Sequence, residues 1–153
     1  MKPSQNFFDL VEHFEGCKLT AYQDIAGVWT IGYGTTHYLN GTRVKEGDTC
    51  TLDNAKALLY NGIRTASIPP MEQSQYDACL DFIYNAGQGA FNSSSLKMGI
   101  EMNADADSIT EYFCMWDKAH VNGKLVEVKG LLRRRKCEAY LFNNGENHPT
   151  FYL

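Results

Sequence analysis

A chain of 153 residues fits one domain, with room for two lobes around a cleft, and is long enough to bury a core. Its hydrophobic share of 44% and charged share of 21% are those of an ordinary globular protein, and no apolar run is long enough to span a membrane. The net charge of −4 argues against a general nucleic-acid binder, which carries a basic surface. At the N-terminus, charges are scattered through MKPSQNFFDLVEHFEG without the apolar centre of a signal peptide, so the chain is expected to start in the cytoplasm. Ser4 is placed to cap a first helix, in which Phe7, Leu10, Val11 and Phe14 follow helical spacing and Gly16 marks the end. Glu15 therefore falls in the last helical turn.

From Lys18 to about Tyr38 the residues favour strands, with Asp24-Ile25-Ala26-Gly27 as a turn and Val28-Trp29-Thr30-Ile31 returning. Asn40-Gly41 is a second turn signal. Thr51 is a plausible cap for a helix to about Thr65, which ends before Pro69-Pro70. The next helix is expected over Gln73–Ala86, with Tyr76, Cys79, Leu80, Ile83 and Tyr84 on one stripe. Shorter helices fit Ser93–Met102 and Asp105–Trp116. A last one fits Leu131–Phe142, after the turn-like Asn122-Gly123 and Gly130. This order predicts an α+β fold, with a small antiparallel sheet lobe and a mainly helical lobe flanking a cleft. The expected division of the single domain 1–153 is a helix and β-lobe over about 1–50 and a helical lobe over about 51–153.

Five dispersed cysteines (Cys17, Cys50, Cys79, Cys114 and Cys137) lack any CxxC pair, and the four histidines lack ligand spacing. No metal site and no cofactor are expected, and the cysteines read as small, mostly reduced core side chains.

Glu15 sits at the negative end of a helix dipole, and Phe14 with a partly closed cleft would add desolvation. Both favour a protonated acid, as a general acid requires. Asp24 lies in a polar turn that favours an ionised carboxylate, although aspartate in turns commonly bonds its own backbone. Two carboxyl groups in opposed environments are what cutting a glycosidic bond needs. On the returning strand, Thr30 has a hydroxyl able to hold a water beside Asp24. Alone, each of these three residues has an ordinary structural reading.

Their spacing, Glu15, eight residues, Asp24, five residues, Thr30, is similar to the signature of the phage-type lysozymes, glycoside hydrolase family 24. Phe14-Glu15-Gly16, Ala21-Tyr22 and Trp29-Thr30-Ile31-Gly32-Tyr33-Gly34 resemble that family's N-terminal lobe. Gln75-Tyr76-Asp77-Ala78 through Phe82-Ile83-Tyr84-Asn85-Ala86-Gly87 resembles its central helix, and Gly130-Leu131-Leu132-Arg133-Arg134-Arg135 with Glu138 and Leu141-Phe142 its closing helix. The resemblance implies hydrolysis of the bond from N-acetylmuramic acid to N-acetylglucosamine in bacterial peptidoglycan. Glu15 would be the general acid, and Asp24 with Thr30 would hold and activate water, with inversion at the anomeric carbon. It further implies an endolysin that acts as a monomer, without stable membrane insertion, and that depends on a holin to pass from the host cytoplasm to the periplasm and cell wall.

Substrate contacts are expected at Gly32, Tyr33 and Gly34. Gly34-Thr35-Thr36-His37 departs from the family's commoner glycine followed by histidine, and His37 is given no catalytic role. Of the run Arg133-Arg134-Arg135-Lys136, one arginine is expected near Glu15 and others beside acidic groups such as Glu138. Tyr112 and Trp116 read as core. The alternatives are a lytic transglycosylase, which can dispense with a water-holding aspartate, and a non-catalytic wall-binding module, which would be expected to lose a catalytic side chain.

Overall fold

The computed structural model describes residues 1–24 and 26–153, in two compact units. One unit comprises Met1–Leu10 and Ala66–Leu153, the other Val11–Thr65. Helix α1 (Gln5–Glu15) starts at the expected cap: the Ser4 hydroxyl accepts from Asn6 N at 3.2 Å. The same hydroxyl donates to Asp77 Oδ2, and Ser4 N donates to Asp77 Oδ1 at 3.0 Å. Phe7, Leu10 and Val11 are fully buried. Gly16 ends the helix at φ +73°, its N–H bonded to Glu12 O at 2.8 Å, a left-handed step that glycine takes without steric cost.

In the unit Val11–Thr65, β1 (Lys18–Gln23) and β2 (Trp29–Gly32) pair antiparallel, as the sequence predicts. Gln23 lies opposite Trp29 and Tyr22 opposite Thr30, before the register slips toward Lys18 opposite Gly32. Asp24 N bonds Val28 O at 3.0 Å, carrying the pairing one step further. Ile25, part of the predicted turn, lies outside the described residues. At the Asn40-Gly41 turn, Gly41 N bonds Tyr38 O at 2.9 Å. Thr51 caps α2 (Leu52–Ile63), its hydroxyl accepting from Asn54 N at 3.1 Å. Ala55, Leu59 and Ile63 of this helix are buried, as are Ile31, Tyr33 and Val44.

The other unit is mainly helical. Helix α3 (Gln73–Ala86) has the predicted bounds, and its Phe82 centres an aromatic cluster with ring centroids 6.2 Å from Phe91, 6.1 Å from Phe113 and 5.6 Å from Trp116. Where two short helices were expected there are three: α4 (Gln88–Ser93), α5 (Ser95–Glu101) and α6 (Ala106–Cys114). Ser94 makes the break, because its hydroxyl accepts from Lys97 N at 3.1 Å and starts α5. Tyr112 and Trp116, read as core from the sequence, are each only half-buried. A Cβ on Gly99 would stand 2.6 Å from the Tyr112 ring, so the missing side chain there is what admits the aromatic.

Residues 117–128 hold more than the turn read from Asn122-Gly123. Strands β3 (Lys118–Val121) and β4 (Lys124–Glu127) form a second antiparallel hairpin, with Asn122 at φ 51° and Gly123 at φ 78°, as a tight Asn-Gly turn requires. Nearly all its side chains are exposed, so it lacks the alternating apolar face that reveals a strand in sequence. Helix α7 (Lys129–Asn144) starts before its expected first residue and takes in Gly130, which is helical here and not a turn. It ends at Gly145 with φ +84°. Beyond it the tail packs: the His148 and Tyr152 rings stack at 3.9 Å, with Tyr140 edge-on to His148 at 4.8 Å. Among the described residues, no helix is long and apolar enough to cross a membrane.

Candidate active site

The three residues singled out by spacing all fall in the unit Val11–Thr65. Glu15 is the last residue of α1 and is exposed, with Phe14 only half-buried, so the expected shielding of Glu15 by its neighbour is not in place. Asp24 is exposed at the end of β1. Its Oδ1 accepts from Ala26 N at 2.8 Å and from Val28 N at 2.9 Å, the self-bonding expected of aspartate in a turn. These bonds fix the carboxylate plane, and among the described residues nothing donates to Oδ2. Thr30 is 4% exposed, and its hydroxyl donates to Val28 O at 2.9 Å.

The backbone of Val28 therefore ties the two together. Its N–H holds Asp24, and its carbonyl accepts from both Asp24 N and the Thr30 hydroxyl. With its proton spent on Val28 O, the Thr30 oxygen has lone pairs left to accept from a water. Asp24 Oδ2 is likewise an acceptor. Two acceptors to which, among the described residues, nothing else donates suit a water that must give up a proton.

Tyr22 joins this group, although sequence reasoning gave it no role. Partial burial pushes its phenol up, and the charges of Glu15 and then Asp24 push it further. The available sequence signal was position: Tyr22 stands two residues before Asp24 and directly across the hairpin from Thr30.

The expected substrate contacts divide. Ile31 and Thr35 exchange backbone hydrogen bonds of 2.9 Å, and Gly32-Tyr33-Gly34 forms the loop they close. Gly32 is buried at φ +63°, where an added Cβ would stand 3.2 Å from Ala55 Cβ on α2; Tyr33 is 1% exposed. These two serve packing, and of the three only Gly34 is exposed. His37 is exposed, its Nδ1 3.0 Å from the Thr36 hydroxyl. Among the described residues, no group of three or more His, Cys, Asp or Glu is placed to hold a metal ion.

In the other unit the basic run splits by helical position. Arg133 and Lys136 are exposed, whereas Arg134 and Arg135 are buried. Arg134 grips Asp81 through two bonds of 2.8 Å, from Nε and from Nη2. Arg135 donates to Asn85 Oδ1 at 2.6 Å, stands 3.1 Å from Glu138 Oε1 and lies 4.9 Å above the Phe82 ring. The pairing with Glu138 expected from the sequence is present, and Asp81 is the partner it missed.

A model of the phage lysozyme family matches residues 12–138 of the chain. The chain belongs to this family. An endolysin from Acyrthosiphon pisum secondary endosymbiont phage 1 is 37% identical over 151 residues, covering 94% of this chain and 99% of that protein. Among solved structures, an endolysin from Escherichia coli phage FAHEc1 superimposes with a TM-score of 0.86 at 30% identity, covering 97% of each chain. A mutant of P22 lysozyme gives a TM-score of 0.77 at 31% identity, covering 93% of this chain and 98% of its own. The lysozyme-like α+β fold expected from the sequence is borne out, with a second small hairpin added in the helical unit. So is the enzyme class, a hydrolase of the lysozyme type.

Proposed function

We propose that the chain is an endolysin of glycoside hydrolase family 24 that hydrolyses the β-1,4 bond between N-acetylmuramic acid and N-acetylglucosamine in bacterial peptidoglycan. The observation that carries this reading is the pair of acceptors, Asp24 Oδ2 and the Thr30 hydroxyl oxygen, in two side chains both held by the backbone of Val28. Glu15 gives its proton to the glycosidic oxygen as the bond to the anomeric carbon breaks. A water donating to Asp24 and Thr30 turns its own lone pair to that carbon, and its proton passes to Asp24. Attack from the face opposite the leaving group inverts the anomeric centre, a geometry that places carboxyl groups roughly 6.5–9.5 Å apart. Gly34 offers exposed backbone for substrate contact. The protein acts as a monomer, and a holin releases it from the host cytoplasm to the wall. The endolysin names of its relatives support peptidoglycan as the substrate.

Mass spectrometry of fragments released from purified peptidoglycan tests the reaction. Reducing muramic-acid ends carrying one added water are expected, and Asp24→Asn should release far fewer of them. Anhydro-muramic ends, with Asp24→Asn close to the parent, would mean a transglycosylase and remove Asp24 from its role. No fragments from folded protein on several wall types would favour a binding module.

A further inference from the structure

The segment 36–44 of the unit Val11–Thr65 folds back on itself around the Asn40-Gly41 turn. Val44 N donates to Thr36 O and Tyr38 N to Thr42 O, both at 2.9 Å. Between these bonds His37 and Arg43 stand directly opposite each other. In such a pair the side chains project to one face and lie close together. The pair and the Gly27-Val28-Trp29 segment border a cavity of about 180 Å³, with buried Val44 also in its wall. Its donors are uncommitted. Among the described residues the Arg43 guanidinium makes no hydrogen bond or ion pair, and nothing accepts from the indole N–H of half-buried Trp29. His37 Nδ1 is taken up by the Thr36 hydroxyl at 3.0 Å, which leaves Nε2 for a ligand. No aspartate or glutamate lines the cavity. Donors gathered there without a carboxylate among them select an acceptor-rich ligand, and the fixed charge of Arg43 selects an anion. Thr36 and His37 belong to the segment that departs from the family's commoner wording, and the proposed reaction gives them no part.

We propose that this cavity is a subsite for a carboxylate of the peptide stem that peptidoglycan carries on its muramic-acid residues, with Arg43 as its counterion and His37 Nε2 and the Trp29 N–H as further donors. The inference deepens the reading of peptidoglycan as the substrate and rests on it. Val28, whose backbone holds Asp24 and Thr30, is part of the cavity wall. A stem carboxylate seated there ties the substrate to the segment that holds the attacking water. The contact is the same before and during bond cleavage, so it serves affinity and not the chemical step. It also gives a chain of net charge −4 a local positive point for an anionic polymer.

The test compares soluble glycan strands bearing native stems with the same strands after their stem carboxyls have been converted to amides. Under the proposal amidation raises the KM of the parent about tenfold and leaves kcat alone, the loss expected of one charge-assisted contact in a partly open pocket. Arg43→Gln raises KM on native strands by a similar factor, and amidation then adds little, because both changes remove the same interaction. Arg43→Lys recovers part of the loss, and His37→Gln shows a smaller rise on native strands only. Arg43 and His37 are exposed, so the variants should melt with the parent. A parental KM for Arg43→Gln on native strands would overturn the subsite. So would a penalty of equal size on native and amidated strands, which marks a role independent of the carboxylate. A folded parent that cleaves neither kind of strand would instead reject the substrate reading, and the inference with it.

Discussion

Glu15→Gln is expected to lower hydrolysis of peptidoglycan by roughly 10²–10⁴-fold, the range lost with a positioned general acid. Glutamine keeps the length and shape of the side chain but has no acidic proton to give, so the leaving oxygen must depart as an alkoxide. The fold should not notice the change. Glu15 is exposed, and the turn after it is set by Gly16, whose N–H bonds to Glu12 O. Fragment release and a thermal melt on the same preparation check both halves of the expectation. An inactive protein with the parental melting temperature supports the assignment, whereas near-normal activity in a folded protein overturns it.

Asp81→Asn should have the largest effect on stability, a loss of about 3 kcal/mol, because removing one partner leaves a buried Arg134 charge without its counterion. For a chain of this size that corresponds to a fall in Tm of roughly 10 °C. Glu138→Gln, one helical turn along α7 from Arg134, should cost less than about 1 kcal/mol at neutral pH. The contrast follows from the proton each carboxyl holds. Burial alone would push Asp81 up, but the Arg134 charge and its two hydrogen bonds outweigh it and hold the group below the ordinary aspartate range. Burial pushes Glu138 well above the ordinary glutamate range; Arg135 opposes this and Asp81 adds to it. Asp81 is thus held toward the anion, while Glu138 is pushed toward the protonated form that glutamine imitates.

The pH dependence has a definite sign. The contribution of Asp81 is full above the ordinary aspartate range and is lost as pH falls through its lower folded value. Glu138 works the other way, its raised folded value costing stability as pH rises above the ordinary glutamate range. Melting curves from acid to neutral pH should therefore show a steep acid loss in the parent that Asp81→Asn lacks. Equal destabilisation by both variants would contradict this distribution of charge.

The local structure around Glu15, Asp24 and Thr30 was legible in sequence because its signals are local. A helix ended by Gly16, a turn at Asp24 and a returning strand at Thr30 are written within sixteen consecutive residues, each with its own backbone signal. Packing at longer range was not. Asp77 and Asp81 sit on the buried face of α3, where pattern alone expects apolar side chains. Their partners Ser4 and Arg134 lie 73 and 53 residues away. Gly32 invited a ligand reading because glycine admits close approach, yet what approaches is Ala55 on α2. Helical geometry divides the run Arg133–Lys136, turning Arg134 and Arg135 inward and leaving Arg133 and Lys136 outside. The hairpin at 118–127 escaped because it buries almost nothing.

The claim at the centre of this account is that a water held by Asp24 and Thr30 attacks the anomeric carbon directly. Proton NMR of the reducing end, followed from the first moments after cleavage of soluble glycan strands, reads this from the anomer that appears before mutarotation. Direct attack on a β bond predicts the α anomer first. First appearance of the β anomer would mean retention through a second displacement, and would contradict the role given to Asp24 and Thr30.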